Sequence, residues 1–350
     1  MEITTYEMGQ ISLEEIKKAA QRISGHAVMT PIMTNNTLDE LASESASTTN
    51  PVSLFFKCEV FQHTGSFKFR GALNAVSTIM EVSNTTTTTP QYKAVCTHSS
   101  GNHAAALAAA SQLVGPLPAH IVVPTDTPPI KKNSVLKYKG ILYECEPTIE
   151  AREQRCAQIA AEHSAFFIPP YNHPYVICGQ GTIGLEVMEQ VNGLDAIVVP
   201  VSGGGMISGI AVAAKSLNPA IKIVAAEPCG TNDAADVYAS KKTGSLDQKV
   251  PKPNTICDGL QARLGSITWP IVRDLVDDVI VVTEQEVVHA MKLIYENLKV
   301  VVEPSGAVGA AAALKGGGTL GSRVGVVLCG GNVDFDSFVP SFWSHFLIRL

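Results

Sequence analysis

Nowhere does the sequence carry the roughly 18 consecutive apolar residues of a membrane span. Its opening, MEITTYEMGQ, has no basic cluster and no apolar core, so it does not read as a secretory leader. Basic charge is in short supply: 26 Lys and Arg stand against 32 Asp and Glu, a net charge of −6. A nucleic-acid binder needs a basic surface, so that class is excluded. The eight cysteines (58, 96, 145, 156, 178, 229, 257 and 329) include no CxxC pair. They read as reduced thiols of a cytoplasmic protein, not as a disulfide or zinc framework. No internal repeat is visible.

What is present fits a globular chain with a sizeable core: 350 residues, 45% hydrophobic and 17% charged. That length suits two modest domains or one large α/β unit. SLEE at 12–15 is a capping box that opens a helix running to about Ile23. Two polar tracts, 43–51 and 83–90, read as exposed loop insertions. From about residue 94, short apolar runs alternate with helical stretches. The runs at 94–97, 119–123, 141–145, 165–168, 196–201, 221–226, 279–282 and 324–328 are expected to be strands. Helices are expected at 103–113, 129–138, 149–162, 182–191, 206–216, 284–297 and 305–314. This alternation predicts a parallel sheet covered by helices, with ligands at the carboxyl ends of the strands.

The loops leaving those strands therefore matter most. SGGGM at 202–206 follows a strand and opens a helix. It is either an anion cradle of exposed amides or a plain tight turn. It is neither GxGxxG nor GxxxxGK[ST], which disfavours dinucleotides and P-loop nucleotides. THSSGNH at 97–103 suits a small carboxylate, or is a bare helix cap. Cys329 ends the last strong strand, as a site group or a buried structural thiol. Lys68 sits between Phe67 and Phe69 in SFKFRGA. Apolar surroundings depress a lysine's pKa and make it a nucleophile able to form a Schiff base. A phosphate cradle together with such a lysine implies pyridoxal 5′-phosphate.

These motifs, with GQGT at 179–182, AAEP at 225–228, EPSGA at 303–307 and CGGNVD at 329–334, occur in one order along nearly the whole chain. The sequence thereby resembles the fold-type II pyridoxal-phosphate enzymes, and within them the serine racemases and serine/threonine dehydratases. The resemblance implies an α/β fold of the tryptophan synthase β type: two open, twisted, mostly parallel sheets flanked by helices. A small domain, 94–172, is expected to be inserted in a large cofactor-binding domain made of 1–93 and 173–350.

By the same resemblance, Lys68 carries the cofactor, Phe67 packs on its ring and Asn102 bonds the ring hydroxyl. Ser202, Gly203, Gly204, Gly205 and Met206 hold the phosphate, and Cys329 faces the ring nitrogen. Glu303 lies near the ring or simply starts a helix. Substrate contacts are implied at Ser99, Ser100, Gly101, Asn102, His103, Arg152 and Tyr171. Glu227, Asp233 and the Thr231 carbonyl match the family's Mg²⁺ or Ca²⁺ site. Three departures stand out: Ser202 where a glycine is common, Cys329 where serine is frequent, and Ala104 in place of a glycine.

The activity implied is racemisation of L- and D-serine with accompanying elimination to pyruvate and ammonia. Lys68 would be the base on one face and Ser100 the acid–base group on the other. SSGNH also occurs in hydroxyaspartate dehydratases, so an ammonia-lyase acting on 3-hydroxyaspartate, serine or threonine with little racemisation is the alternative. An inactive cofactor- or amino-acid-binding protein is the remaining one. The short tail at 335–350 leaves no room for an isoleucine-sensing regulatory domain. A homodimer is expected, with ATP as an activator left open.

Overall fold

The structure is a computed structural model that describes residues 11–44, 51–85, 92–115, 117–246 and 250–335. Helix α1 (Leu13–Ile23) opens where extended Ser12 turns its hydroxyl to the amide of Glu15, 3.3 Å away. Its inward face is Ile16, Ala19 and Ile23, the helical spacing of a buried stripe. Next come β1 (Ile32–Met33), α2 (Asn36–Glu44) and β2 (Ser53–Cys58), then α3 (Lys68–Thr85). The middle of the chain runs β3 (Ala94–His98), α4 (Asn102–Val114), β4 (Ala119–Pro124), α5 (Pro129–Lys137), β5 (Ile141–Cys145), α6 (Ile149–Glu162) and β6 (Ala165–Phe167). The remainder is α7 (Pro174–Gln190), β7 (Ala196–Pro200), α8 (Gly205–Leu217), β8 (Lys222–Pro228), α9 (Asp236–Thr243), α10 (Thr268–Leu275), β9 (Asp278–Val282), α11 (Glu284–Leu298), α12 (Pro304–Gly316) and β10 (Arg323–Leu328).

The strands form two sheets. A six-stranded sheet has the order β1-β2-β10-β7-β8-β9, parallel except for the antiparallel β1–β2 edge pair. A four-stranded, all-parallel sheet has the order β5-β4-β3-β6. Helices cover both faces of the larger sheet, and in its interior strand β7 every residue is apolar and buried. Phe69, Leu73, Val76 and Ile79 of α3 pack into the core on one side of the smaller sheet. α3 therefore belongs in packing terms to both halves.

Several elements escape the sequence reading. α7 begins at Pro174, eight residues before the expected 182. Glycines suppress the helical signal there, yet packing requires them. A Cβ on Gly179 would lie 2.6 Å from the Cα of Gly71 in α3, and one on Gly209 of α8 would lie 2.3 Å from the Ile177 carbonyl of α7. β2 was missed because Lys57 interrupts its apolar run. The polar tracts fall mostly outside the described residues, as do 336–350.

Lys57 and Arg70 have fully buried side chains. Arg70 reaches Glu59 with Nε at 2.7 Å and Nη2 at 2.8 Å, and Glu186 of α7 with Nη1 at 2.5 Å. Lys57 donates to Glu186 at 2.5 Å, to the Thr30 carbonyl at 2.8 Å and to Gln190 at 2.8 Å. Two cations face two anions, so the cluster is neutral and its donors are engaged. Removing one partner leaves a buried charge uncompensated. Glu59→Ala is expected to lower stability by about 3–5 kcal/mol in urea unfolding. Glu59→Gln, which keeps the shape and two acceptor lone pairs, is expected to cost less.

Candidate active site

Five segments converge at the carboxyl ends of the two sheets. Lys68 opens α3. Its amine donates to the Pro170 carbonyl at 2.8 Å and lies 4.9 Å from the centre of the Phe67 ring. Burial pushes its pKa down to about 8. A large fraction of the amine is thus neutral near pH 8, the form a nucleophile needs. The two flanking phenylalanines point apart: Phe69 enters the core of the smaller sheet, and Phe67 packs towards that of the larger one.

The start of α3 is tied to the end of β10. Phe67 N–H donates to the Cys329 carbonyl at 3.1 Å, and Ser66 bridges to Gly330. Cys329 is buried, and its thiol points to the Ser305 carbonyl at 3.5 Å. Burial and the charge of Glu303 hold that thiol well above the usual range, so it stays protonated. Its role is that of a neutral, weak donor.

Asn102 opens α4 at the end of HSSGNH. Its Nδ2 donates to Glu303 at 2.8 Å, and its Oδ1 accepts from Asn332 at 2.8 Å. Asn332 also donates to the Thr64 carbonyl at 2.8 Å. A single hydrogen-bonded chain therefore links Thr64, Asn332, Asn102 and Glu303. Asn332 and Thr64 were not singled out in the sequence, although Asn332 lies in CGGNVD. Burial pushes the Glu303 carboxyl up to about 8, outweighing the bond from Asn102. His103 is buried; its Nε2 donates to the Ile168 carbonyl at 3.0 Å, and burial holds the ring neutral with a pKa of about 3. Ser99, Ser100 and Gly101 are half-buried on the loop between β3 and α4. Arg152 of α6 stands behind that loop, its Nη2 donating to the His98 carbonyl at 3.1 Å.

The glycine-rich loop follows β7. Gly204 has φ +85°, a left-handed conformation that favours glycine. The Tyr171 ring lies directly on the loop: a Cβ on Gly203 would sit 2.5 Å from it. The amides of Gly205 and Met206 begin α8, where no intrahelical acceptor exists. Ser202 spends its hydroxyl elsewhere, donating to the Ala262 carbonyl at 2.8 Å and accepting from the Ala262 amide at 2.9 Å. The departure from glycine at 202 thus anchors the loop to a neighbouring segment.

Glu227 lies apart, at the end of β8. Its oxygens accept from the amides of Val237 and Tyr238 at 2.8 and 2.9 Å, capping α9. Burial pushes its pKa up to about 8. Asp233 sits at φ +52° in the turn between β8 and α9, and Thr231 N–H donates to the Asn254 carbonyl at 2.8 Å. Among the described residues, no group of three or more His, Cys, Asp and Glu is placed to hold a metal.

The residues present fit pyridoxal phosphate. They supply an amine with a depressed pKa, first-turn amides at a helix N-terminus, a protonated thiol and an acid–amide hydrogen-bond chain ending on buried Glu303. Comparison with known proteins agrees. The family model described as pyridoxal-phosphate dependent enzyme matches residues 23–330. A serine racemase of Arabidopsis thaliana is 47% identical over 94% of this chain and 95% of its own length. A beta-hydroxyaspartate dehydratase of Paracoccus denitrificans is 43% identical over 92% of this chain and 96% of its own. The solved structure of maize serine racemase superposes with a TM-score of 0.86 at 44% identity, covering 97% of this chain and 99% of that one.

The Glu303 carboxyl gives a pH test. Its folded pKa, about 8, lies above the ordinary 4.5, so the folded state holds a proton that the unfolded state releases. Its contribution is fully present below about pH 4.5 and is lost as pH rises through 8. Glu303→Gln imitates the protonated acid. In urea unfolding of the cofactor-free protein, the variant is expected to gain stability relative to the parent between pH 5 and pH 8. A constant difference across that range would place the proton elsewhere.

Proposed function

The chain belongs to the pyridoxal-phosphate dependent enzyme family, and from this we propose that it interconverts L- and D-serine while eliminating part of the serine to pyruvate and ammonia. The carrying observation is likeness along nearly the whole chain to serine racemases. Bound pyridoxal phosphate would supply the electron sink that lets a proton leave Cα. Lys68 would hold the cofactor and, once its amine is free, take and return that proton on one face. Ser100 would do the same on the opposite face. Elimination needs only Lys68 and a donor for the departing hydroxyl.

Phe67, Asn102, Glu303 and Cys329 would surround the ring, and Ser202, Gly203, Gly204, Gly205 and Met206 the phosphate. Ser99, Ser100, Gly101, Asn102 and His103 would receive the substrate carboxylate. Arg152 would brace that loop from behind, and Tyr171 would limit the space beside the substrate. We take 94–172 as a small domain and 1–93 with 173–350 as the large one, a division supported by the confinement of the four-stranded sheet to residues 94–167.

A divalent cation, Mg²⁺ or Ca²⁺, would sit at Glu227, Asp233 and the Thr231 carbonyl. Each Glu227 oxygen keeps a second lone pair beyond its bond to α9. The protein would be a cytoplasmic homodimer. Self-association is supported by exposed Met29, Phe61 and Val301 on neighbouring segments. The side chain of Gln62, next to Phe61, bonds the Val28 backbone, and Gly331 lies against both Val60 and Val301.

The Paracoccus relative favours a second reading, dehydration of 3-hydroxyaspartate. Incubation with L-serine, L-threonine and L-threo-3-hydroxyaspartate, following D-isomer and keto acid together, separates the two. D-serine formation is expected from L-serine; keto acid without any D-isomer would favour the dehydratase. Lys68→Ala is expected to abolish both reactions of L-serine. Ser100→Ala is expected to lose L-to-D interconversion and all attack on D-serine, while elimination from L-serine survives at a reduced rate. Racemisation at the parent's rate in that variant would refute the two-face assignment. Chelation is expected to lower activity or thermal stability in the parent, since a ligand bound only by the folded state stabilises it. Glu227→Ala is expected to be insensitive to both chelator and added Mg²⁺.

A further inference from the structure

Successive residues of β3 face opposite sides of the smaller sheet. Val95 packs towards α3 and α4, whereas Cys96 belongs to a separate core beneath α6 with Cys156 and Ile159. The Cys96 and Cys156 thiols are both buried, and their sulfurs stand 3.9 Å apart. A disulfide needs a separation of about 2.0 Å, so an approach of about 2 Å closes the bond.

The same strand and helix meet a second time close by. His98 lies two residues after Cys96, on the same face of β3, and its ring stacks on Phe167. Arg152 lies four residues before Cys156, one turn away on the same face of α6. Its guanidinium holds the His98 carbonyl at 3.1 Å, at the root of the SSGNH loop. The thiol pair and the Arg152–His98 contact are thus adjacent rungs between one helix and one strand.

We propose that Cys96 and Cys156 are a redox modification site, which a hydroperoxide closes to an intramolecular disulfide that displaces the Arg152–His98 contact and so disorders the 98–103 loop. One thiolate attacks the peroxide oxygen, becoming a sulfenic acid as water, or an alcohol from an organic peroxide, departs. The second thiol attacks that sulfur, the S–S bond forms and a second water leaves. Two thiols give two electrons and two protons, and the peroxide takes both. The hydrogen bond with the Cys156 thiol, and then burial, push the Cys96 pKa up, so oxidation proceeds slowly at neutral pH, through local opening of α6, and faster as pH rises. Cys145 packs against the same cluster, but its sulfur turns to the Val123 carbonyl at 3.6 Å.

The test treats the pyridoxal-phosphate-loaded protein with hydrogen peroxide, blocks the remaining thiols with iodoacetamide and maps proteolytic peptides by mass. A crosslink joining the Cys96 and Cys156 peptides, absent after dithiothreitol, is expected. A crosslink through Cys145, or none, overturns the site. This arm needs no enzymatic activity and stands apart from the functional reading. The second arm rests on that reading: serine turnover is expected to fall at least several-fold on oxidation and to return with dithiothreitol. Cys156→Ala is expected to keep its reduced-state turnover and to resist peroxide. Full turnover with the crosslink formed overturns the coupling to the loop.

Discussion

The Arg70 guanidinium is the constraint on which the site's geometry depends. It lies two residues after Lys68, inside the first turn of α3, with a fully buried side chain. Water cannot solvate it there, so Glu59 and Glu186 must. Glu59 follows β2 directly and Glu186 lies on α7, so one side chain ties together a strand, the helix that carries the lysine and a helix across the core. Lys57 supplies the second positive charge that balances Glu186. A helix start pinned in this way gives the lysine at its first position little freedom of placement.

On the other side of Lys68 the restraint is made of neutral bonds. The chain from Thr64 through Asn332 and Asn102 to Glu303 joins the segment before α3, the segment after β10, the start of α4 and the start of α12. A protonated Glu303 carboxyl lets this chain sit close to the lysine without adding a buried negative charge. The same reasoning applies to Cys329, whose protonated thiol is neutral. The site thus keeps its permanent charges in the Arg70 cluster and presents mostly neutral groups around the amine.

Much of this was legible beforehand. Strand-end loops rich in glycine, serine and asparagine carry their own signal, because few side chains leave amides open to a ligand. HSSGNH and SGGGM stand out in that way, Lys68 stands out by the phenylalanines on either side of it, and the family resemblance supplies the fold. What was not legible depended on partners distant in sequence. Nothing near Arg70 announces Glu186, which is 116 residues away, and nothing near Ser202 announces Ala262, 60 residues on. The start of α7 was lost for a related reason: Gly179 looks like a helix breaker until Gly71 is placed against it. Asn332 sat in a quoted motif, yet its bond to Asn102 spans 230 residues.

The strand order carries a consequence for how the chain reaches this state. β10 is the last described strand in the sequence, yet it lies between β2 and β7 in the interior of the larger sheet. On the ribosome, β2 therefore waits without its parallel neighbour until residues 323–328 emerge, with only the two-residue β1 beside it. The four-stranded sheet has no such debt, since all its strands lie between residues 94 and 167. Synthesis should therefore yield a paired small sheet well before the large one closes, leaving the β2 and β7 edges exposed to wrong partners in the interval. A nascent chain of this topology has reason to depend on chaperones until its last strand is inserted.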